Sequence, residues 1–195
     1  CDFDIFVDLL TGIRDNLGQN ADPQNEPGNQ LAGFDLRYSF DALSRPWAFY
    51  TQWIGEDEQN GAPSGHLAQL GLETWSSWGE RGASYRIHAE YNEPTCSAIT
   101  DSDPNFGCAY SHHIYRDGYR YRGRAIGHSA DSDGVVFSLG GMLFTAEGHA
   151  WQLLARRAEI NRSSFTPHSL SPVAQDIFTL ELRHTRKLEI GDLVL

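Results

Sequence analysis

Residues 34–40 read FDLRYSF, so Phe34, Leu36, Tyr38 and Phe40 alternate with Asp35, Arg37 and Ser39. A period of two puts the apolar set on one face of a β-strand and the polar set on the other, and helical spacing does not accommodate it. Working outward, the same alternation recurs. Phe3, Ile5, Val7 and Leu9 alternate with Asp2, Asp4, Phe6 and Asp8, and Tyr85, Ile87, Ala89 and Tyr91 alternate with Arg86, His88, Glu90 and Asn92. Phe178, Leu180 and Leu182 alternate with Thr179, Glu181 and Arg183. Trp47–Gly55, Leu67–Trp78, Val135–Ala146 and Trp151–Ile160 read as strands with weaker alternation, and a last strand begins near Ile190. The expectation is about nine strands and no helix.

The connections carry a second regularity. The links at 11–30, 56–66, 93–118 and 161–173 are long and rich in Gly, Pro, Asn and Asp, whereas those at 41–46, 79–84, 147–150 and 186–189 are short. Transmembrane barrels sort their connections this way, with long loops at one end and short turns at the other. Trp47, Trp53, Trp75, Trp78, Tyr91 and Trp151 stand near strand ends, as aromatic girdles do. A soluble β-sandwich would bury those rings in its core, but it has no reason to sort loops by length. The fold class expected is therefore all-β, an antiparallel transmembrane β-barrel.

Composition agrees. With 195 residues the chain is long enough for one good-sized domain. Its mean hydropathy of −0.45 is compatible with a barrel, because alternating strands average out as hydrophilic. A formal charge of −11 argues against nucleic acid as a partner, since phosphate contact needs a basic surface.

On this acidic chain one local stretch is basic. Tyr110–Asp133, YSHHIYRDGYRYRGRAIGHSADSD, strings arginines, tyrosines and histidines together with little aliphatic content. If the centre is extended, Arg120, Arg122 and Arg124 share one face at intervals of roughly 6.6–6.8 Å, twice the strand rise. Such a row calls for anions, either wall carboxylates such as Asp35, Glu90 and Glu181 or an acidic ligand. Tyrosine offers a planar apolar face and a hydroxyl at low entropic cost, a combination that suits sugars. The binding candidates are Tyr115, Arg116, Tyr119, Arg120, Tyr121, Arg122 and Arg124, with His112, His113 and His128 nearby.

Other chemistries are weaker. Adjacent His112 and His113 would point to opposite faces of a strand, and His128 with Asp131 and Asp133 lacks the glycine and glutamate of a calcium loop, so no metal and no cofactor are expected. Gly127-His128-Ser129-Ala130-Asp131 departs from a nucleophile elbow at its last position. His88-Ala89-Glu90 with Pro94 and Cys96 lacks the second cysteine spacing of a zinc deaminase. Cys96 and Cys108 share a long link, where they form either a disulfide or two free thiols.

The run GYRYRGRAIGHSADSD at 118–133, preceded by HHIYRD at 112–117, resembles the capsule assembly proteins of the Wzi family. FYTQWIGEDE at 49–58, LGLETW at 70–75 and YRIHAEY at 85–91 look like parts of the same pattern in the same order. The resemblance implies an outer-membrane β-barrel that acts as a lectin, tethering capsular polysaccharide to the bacterial cell surface. The expected partners are an acidic capsular polysaccharide and outer-membrane lipid, with the protein a monomer and not an enzyme. A porin-like channel and an outer-membrane hydrolase built on Ser129 are the alternatives. The resemblance implies a barrel of roughly 18 antiparallel strands, within the range of such barrels, so nine strands would be about half of it. Residues 1–195 are accordingly expected to be a single domain, the C-terminal-side portion of an outer-membrane barrel.

Overall fold

The computed structural model describes residues 31–59, 62–79, 82–96, 106–111, 118–164, 168–188 and 191–194. Their strands are β1 (Ala32–Ala42), β2 (Arg45–Gln59), β3 (Ala62–Trp78), β4 (Ala83–Glu93), β5 (Arg120–Tyr121), β6 (Arg124–Ala125), β7 (Gly134–Phe144), β8 (His149–Ile160), β9 (Gln175–Leu188) and β10 (Gly191–Val194). Eight of them form one sheet in the order β1-β2-β3-β4-β7-β8-β9-β10, and β5 and β6 form a separate pair. Every pairing is antiparallel. Among the described residues the large sheet is a meander that does not close, and none of them is helical. The expected strand at 2–10 lies outside the described residues.

Register shows why the alternation is so regular. Tyr38, Phe49, Leu72, Ala89, Leu139, Ala155 and Leu180 are cross-strand partners in sequence from β1 to β9, so they share one face. On that face Phe34, Leu36, Tyr38, Leu72, Ile87, Phe137, Leu139, Leu153, Phe178, Leu180 and Leu182 are all exposed. The opposite face carries the row Arg37, Tyr50, Gly71, Glu90, Ser138, Arg156 and Thr179. A sheet that shows a continuous band of large apolar side chains outward and a polar band on its other side has the build of a barrel wall in hydrocarbon.

The polar face is knit by side chains lying along it. Arg37 and Arg86 both pair with the buried Glu73 carboxylate, and Arg86 Nε donates to Oε2 at 2.6 Å. Tyr50 lies flat across Gly71, where a Cβ would overlap the ring, and its hydroxyl donates to Glu90 Oε1 at 2.5 Å. A glycine covered by a cross-strand aromatic ring regains the packing that the missing side chain forfeits. Arg37 also stands 5.7 Å from the Trp75 ring. Trp75 therefore belongs to the polar face, and the girdle reading fails for it. Trp47 and Trp151 sit on the apolar face near the short turns, paired with Phe40 and His184.

Among the described residues loop sorting holds with one correction, and the expected link at 11–30 lies outside them. The strand ends joined by the short connections β1–β2, β3–β4, β7–β8 and β9–β10 lie at one end of the sheet, and those joined by the long connections β4–β7 and β8–β9 lie at the other. The expected long link at 56–66 is instead strand: β2 and β3 pair out to Gln59 and Ala62, beyond the edge of their neighbours. Its Gly, Pro and Asp content suggested a loop, yet an antiparallel pair needs only a tight turn to continue.

Candidate functional site

At the long-link end the described parts of the 94–133 link, residues 94–96, 106–111 and 118–133, fold back onto the polar face. Cys96, Ala109 and Tyr110 pack with Leu67, and Ala130 packs with Val136 and Ile160. Cys96 and Cys108 are joined as a disulfide with Cα atoms 6.2 Å apart, which ties the start of the link to its first turn. Tyr110 is almost wholly buried, and its hydroxyl accepts from the His128 backbone N–H at 2.7 Å. Burial raises its phenol pKa above the usual value.

The arginine stretch is not extended. Arg120 pairs with Ala125 and Tyr121 with Arg124, so β5 and β6 make a tight hairpin whose tip is Arg122 and Gly123. Both tip residues have positive φ, 51° and 76°, the geometry of a two-residue hairpin turn. The expected row of three arginines on one face is therefore broken by the turn. Arg120 points into the link: Nε donates to the Tyr110 carbonyl at 2.8 Å, and Nη1 and Nη2 fork onto both oxygens of Asp131. Arg122 and Arg124 are exposed, with Arg122 over the Tyr121 ring at 5.2 Å. Tyr119 and Tyr121 are exposed as well. His112, His113, Tyr115 and Arg116 lie outside the described residues.

Asp131 and Asp133, which sequence reading weighed as cation ligands, are fully buried and bind protein groups. Asp131 accepts from Ser132 N at 2.6 Å and Ser169 N at 2.7 Å besides Arg120. Burial alone would raise its pKa; the Arg120 guanidinium and the Ser169 and Ser132 donors hold it down at about 2. Asp133 accepts from Ser163 N at 2.7 Å and from Arg162 Nε at 3.3 Å. Arg162 Nη2 donates to Glu93 and to Thr95 Oγ1, both at 2.7 Å, and burial notwithstanding, Glu93 and Asp133 push its pKa up. Asn161 Nδ2 donates to the Ser171 carbonyl at 3.0 Å. The Asp-Ser-Asp run at 131–133 thus clamps the 94–133 link to the 161–174 link. Sequence reading missed Glu93 and Arg162, because Glu93 ends β4 and its partner Arg162 comes from a link with no periodicity to place it.

Under this cap lie two cavities. One, of about 410 Å³, is lined by Gln52, Ile54, Leu67, Asn92, Tyr110 and Tyr119 among others. The second, of about 380 Å³, is walled by Glu90, Ser138, Arg156, Ala158 and Thr179 from the sheet and by Ser129, Ala130 and Leu170 from the cap. Gln69, Asn92 and His128 line both. His128 Nδ1 accepts from Ala130 N at 3.1 Å, so its ring proton sits on Nε2. Burial, helped by Arg156, lowers its pKa and keeps the ring neutral. With Nδ1 so occupied, His128 is not set up as a base for Ser129. Among the described residues no group of His, Cys, Asp and Glu is gathered to hold a metal ion.

Comparison with known proteins follows the same outline. The model of the capsule assembly protein Wzi family matches residues 1–191. The solved structure of Wzi, an outer membrane protein involved in group 1 capsule assembly in Escherichia coli and a carbohydrate-binding β-barrel, superposes with a TM-score of 0.74 at 27% identity. The match covers 91% of this chain and 40% of that one. An uncharacterized 55.8 kDa protein of the cps region in Klebsiella pneumoniae is 40% identical over 88 residues, 45% of this chain and 16% of that protein. The chain thus spans well under half the length of either relative, and its meander corresponds to a stretch of barrel wall. With the family model matching nearly end to end, the chain belongs to the capsule assembly protein Wzi family.

Proposed function

We propose that this chain is part of an outer-membrane β-barrel that binds capsular polysaccharide and holds it at the bacterial cell surface, without catalysis. It would supply the C-terminal-side portion of the wall, within a single barrel domain that acts as a monomer. Outer-membrane lipid would cover the apolar band, and an acidic capsular polysaccharide would approach the long-link end. The observation that carries this reading is the hairpin standing on the cap: Tyr121, Arg122 and Arg124 are all exposed there, on a protein of net charge −11. Arginines with no carboxylate partner among the described residues, beside tyrosine rings, suit a carboxylate-bearing sugar chain. Family membership and likeness to a carbohydrate-binding barrel support the same ligand class.

The test is binding of acidic capsular polysaccharide to the intact refolded protein beside the Arg122→Gln/Arg124→Gln variant, at two salt concentrations. Heat-modifiable migration on gels serves as the folding control. The expected result is weaker binding by the folded variant and a shallower salt dependence. Equal binding by both would move the contact surface off the hairpin, and no binding by either would remove the lectin reading.

A further inference from the structure

Most cationic side chains around the polar face and cap have protein partners. Arg37 and Arg86 share Glu73, Arg120 forks onto Asp131, and Arg162 bridges Glu93 and Asp133. Arg156 is different. It stands on the wall of the 380 Å³ cavity with no carboxylate partner among the described residues, although it lies in the same row as Glu90. Glu90 is engaged on its far side, where the Tyr50 hydroxyl reaches it across Gly71. The direct cross-strand neighbours of Arg156 are Ser138 and Thr179, both hydroxyls. One register step toward the cap, the wall turns apolar: Val136, Ala158 and Ile177 are consecutive partners and line or adjoin the same space. Gln69 and Asn92 add carboxamides, and neutral His128 lines the space from the cap side.

We propose that this capped cavity is a second carbohydrate subsite, specific for a single uronic acid residue, with Arg156 taking the sugar carboxylate. A uronate has the matching chemistry. Its carboxylate meets the fork of an otherwise unpaired guanidinium. Its hydroxyls meet Ser138, Thr179, Gln69 and Asn92, and one ring face meets the Val136–Ala158–Ile177 strip. The volume falls within the roughly 300–1,000 Å³ of small-ligand sites. Neutral His128 adds a donor without competing for the anion. The subsite deepens the polysaccharide-binding reading, since it would hold one acidic unit of a chain whose outer part lies along the hairpin.

The experiment measures binding of methyl glucuronide and methyl glucoside to the intact protein by ligand-observed NMR, with whole acidic polysaccharide run in parallel. The glucuronide should bind and the glucoside should bind at least tenfold more weakly. Arg156→Gln should abolish the glucuronide signal, and Ala158→Phe, which fills the cavity and leaves the guanidinium in place, should do the same. Heat-modifiable migration confirms that each variant is folded, and two variants of different chemistry guard against one that is not. Unchanged glucuronide binding in either folded variant overturns the subsite, as does equal binding of the two glycosides. The two readings fail separately. Polymer binding that ignores both variants sinks the subsite alone, whereas glucuronide binding without polymer binding keeps the subsite and removes the lectin reading.

Discussion

In the wall of this protein the large apolar side chains face outward, while in the cap the most deeply buried side chains are polar. Phe178, Leu180 and Leu182 on β9 are each more than 60% exposed, yet Thr95, Asp131, Ser132, Asp133 and Asn161 are at 0%. The wall is held by main-chain ladders and needs only that each outward side chain tolerate its surroundings. The cap has almost no regular structure, so its backbone groups and shape must be satisfied by side chains, and aspartates next to tight turns do that work. The comparison teaches that in this fold charge marks the inside of the irregular part and apolar surface marks the outside of the regular part.

The comparison breaks most visibly at Asp131. Replacing it with Ala removes both acceptors of the Arg120 fork and frees the 168–171 segment, a loss of about 3–5 kcal/mol by the usual cost of breaking a buried ion pair. Limited proteolysis should then cut within 106–133 while the sheet resists. The double change Arg120→Met/Asp131→Ala should recover part of the stability, because no charge is left stranded. A double variant as unstable as the single one would show that the Ser169 and Ser132 contacts matter more than the ion pair.

The wall offers the complementary break. Leu139 lies midway across the apolar face, in the row of Tyr38, Leu72 and Leu180. Leu139→Arg should cost about 2–4 kcal/mol if that face meets hydrocarbon at the midplane. Denaturant unfolding from lipid vesicles reads the loss, and a wall that tolerates arginine there would mean the face does not meet lipid.

How much of this was legible in the sequence follows from the same contrast. Wall strands announce themselves because a two-sided sheet imposes period two on its residues; FDLRYSF at 34–40 became β1 with the faces as expected. The 56–66 link misled because glycine and proline suit a loop, while cross-strand pairing decided otherwise. The cap was legible in composition and illegible in geometry. Arg120, Arg122 and Arg124 look equivalent in an extended chain, and only the positive φ of Arg122 and Gly123 sends the first inward and leaves the others outside. No periodic signal can reveal Glu93 meeting Arg162 across 69 residues of chain.

Acid sharpens the comparison further, since Asp131 titrates in the cap. Its carboxyl falls from 3.8 to about 2 on folding, so the unfolded chain binds the proton first as pH drops. The contribution is fully present above about pH 4 and is lost as pH falls through 2, a change of about 2 kcal/mol. Hydrogen exchange of the 106–133 amides against pH should accelerate in that window. Amides of the wall strands should stay protected to lower pH, and parallel loss in both regions would mean that cap and wall unfold as one unit.

The smallest effect on stability is expected at the hairpin tip, and it isolates function from folding. Arg122 and Arg124 are exposed, and the cation–π contact of Arg122 with Tyr121 sits in solvent. Changing both to Gln should therefore alter stability by no more than about 0.5 kcal/mol. Arg120→Gln, two residues away, should destabilise the cap severalfold more, because it removes the fork onto buried Asp131. Polysaccharide binding should reverse that order: the tip variant loses affinity while staying folded, and the Arg120 variant loses it only as the cap opens. If Arg120→Gln weakened binding with the cap still protected from proteolysis, the division between a structural arginine and two ligand-facing ones would be wrong. The whole stretch would then have to be treated as one recognition surface.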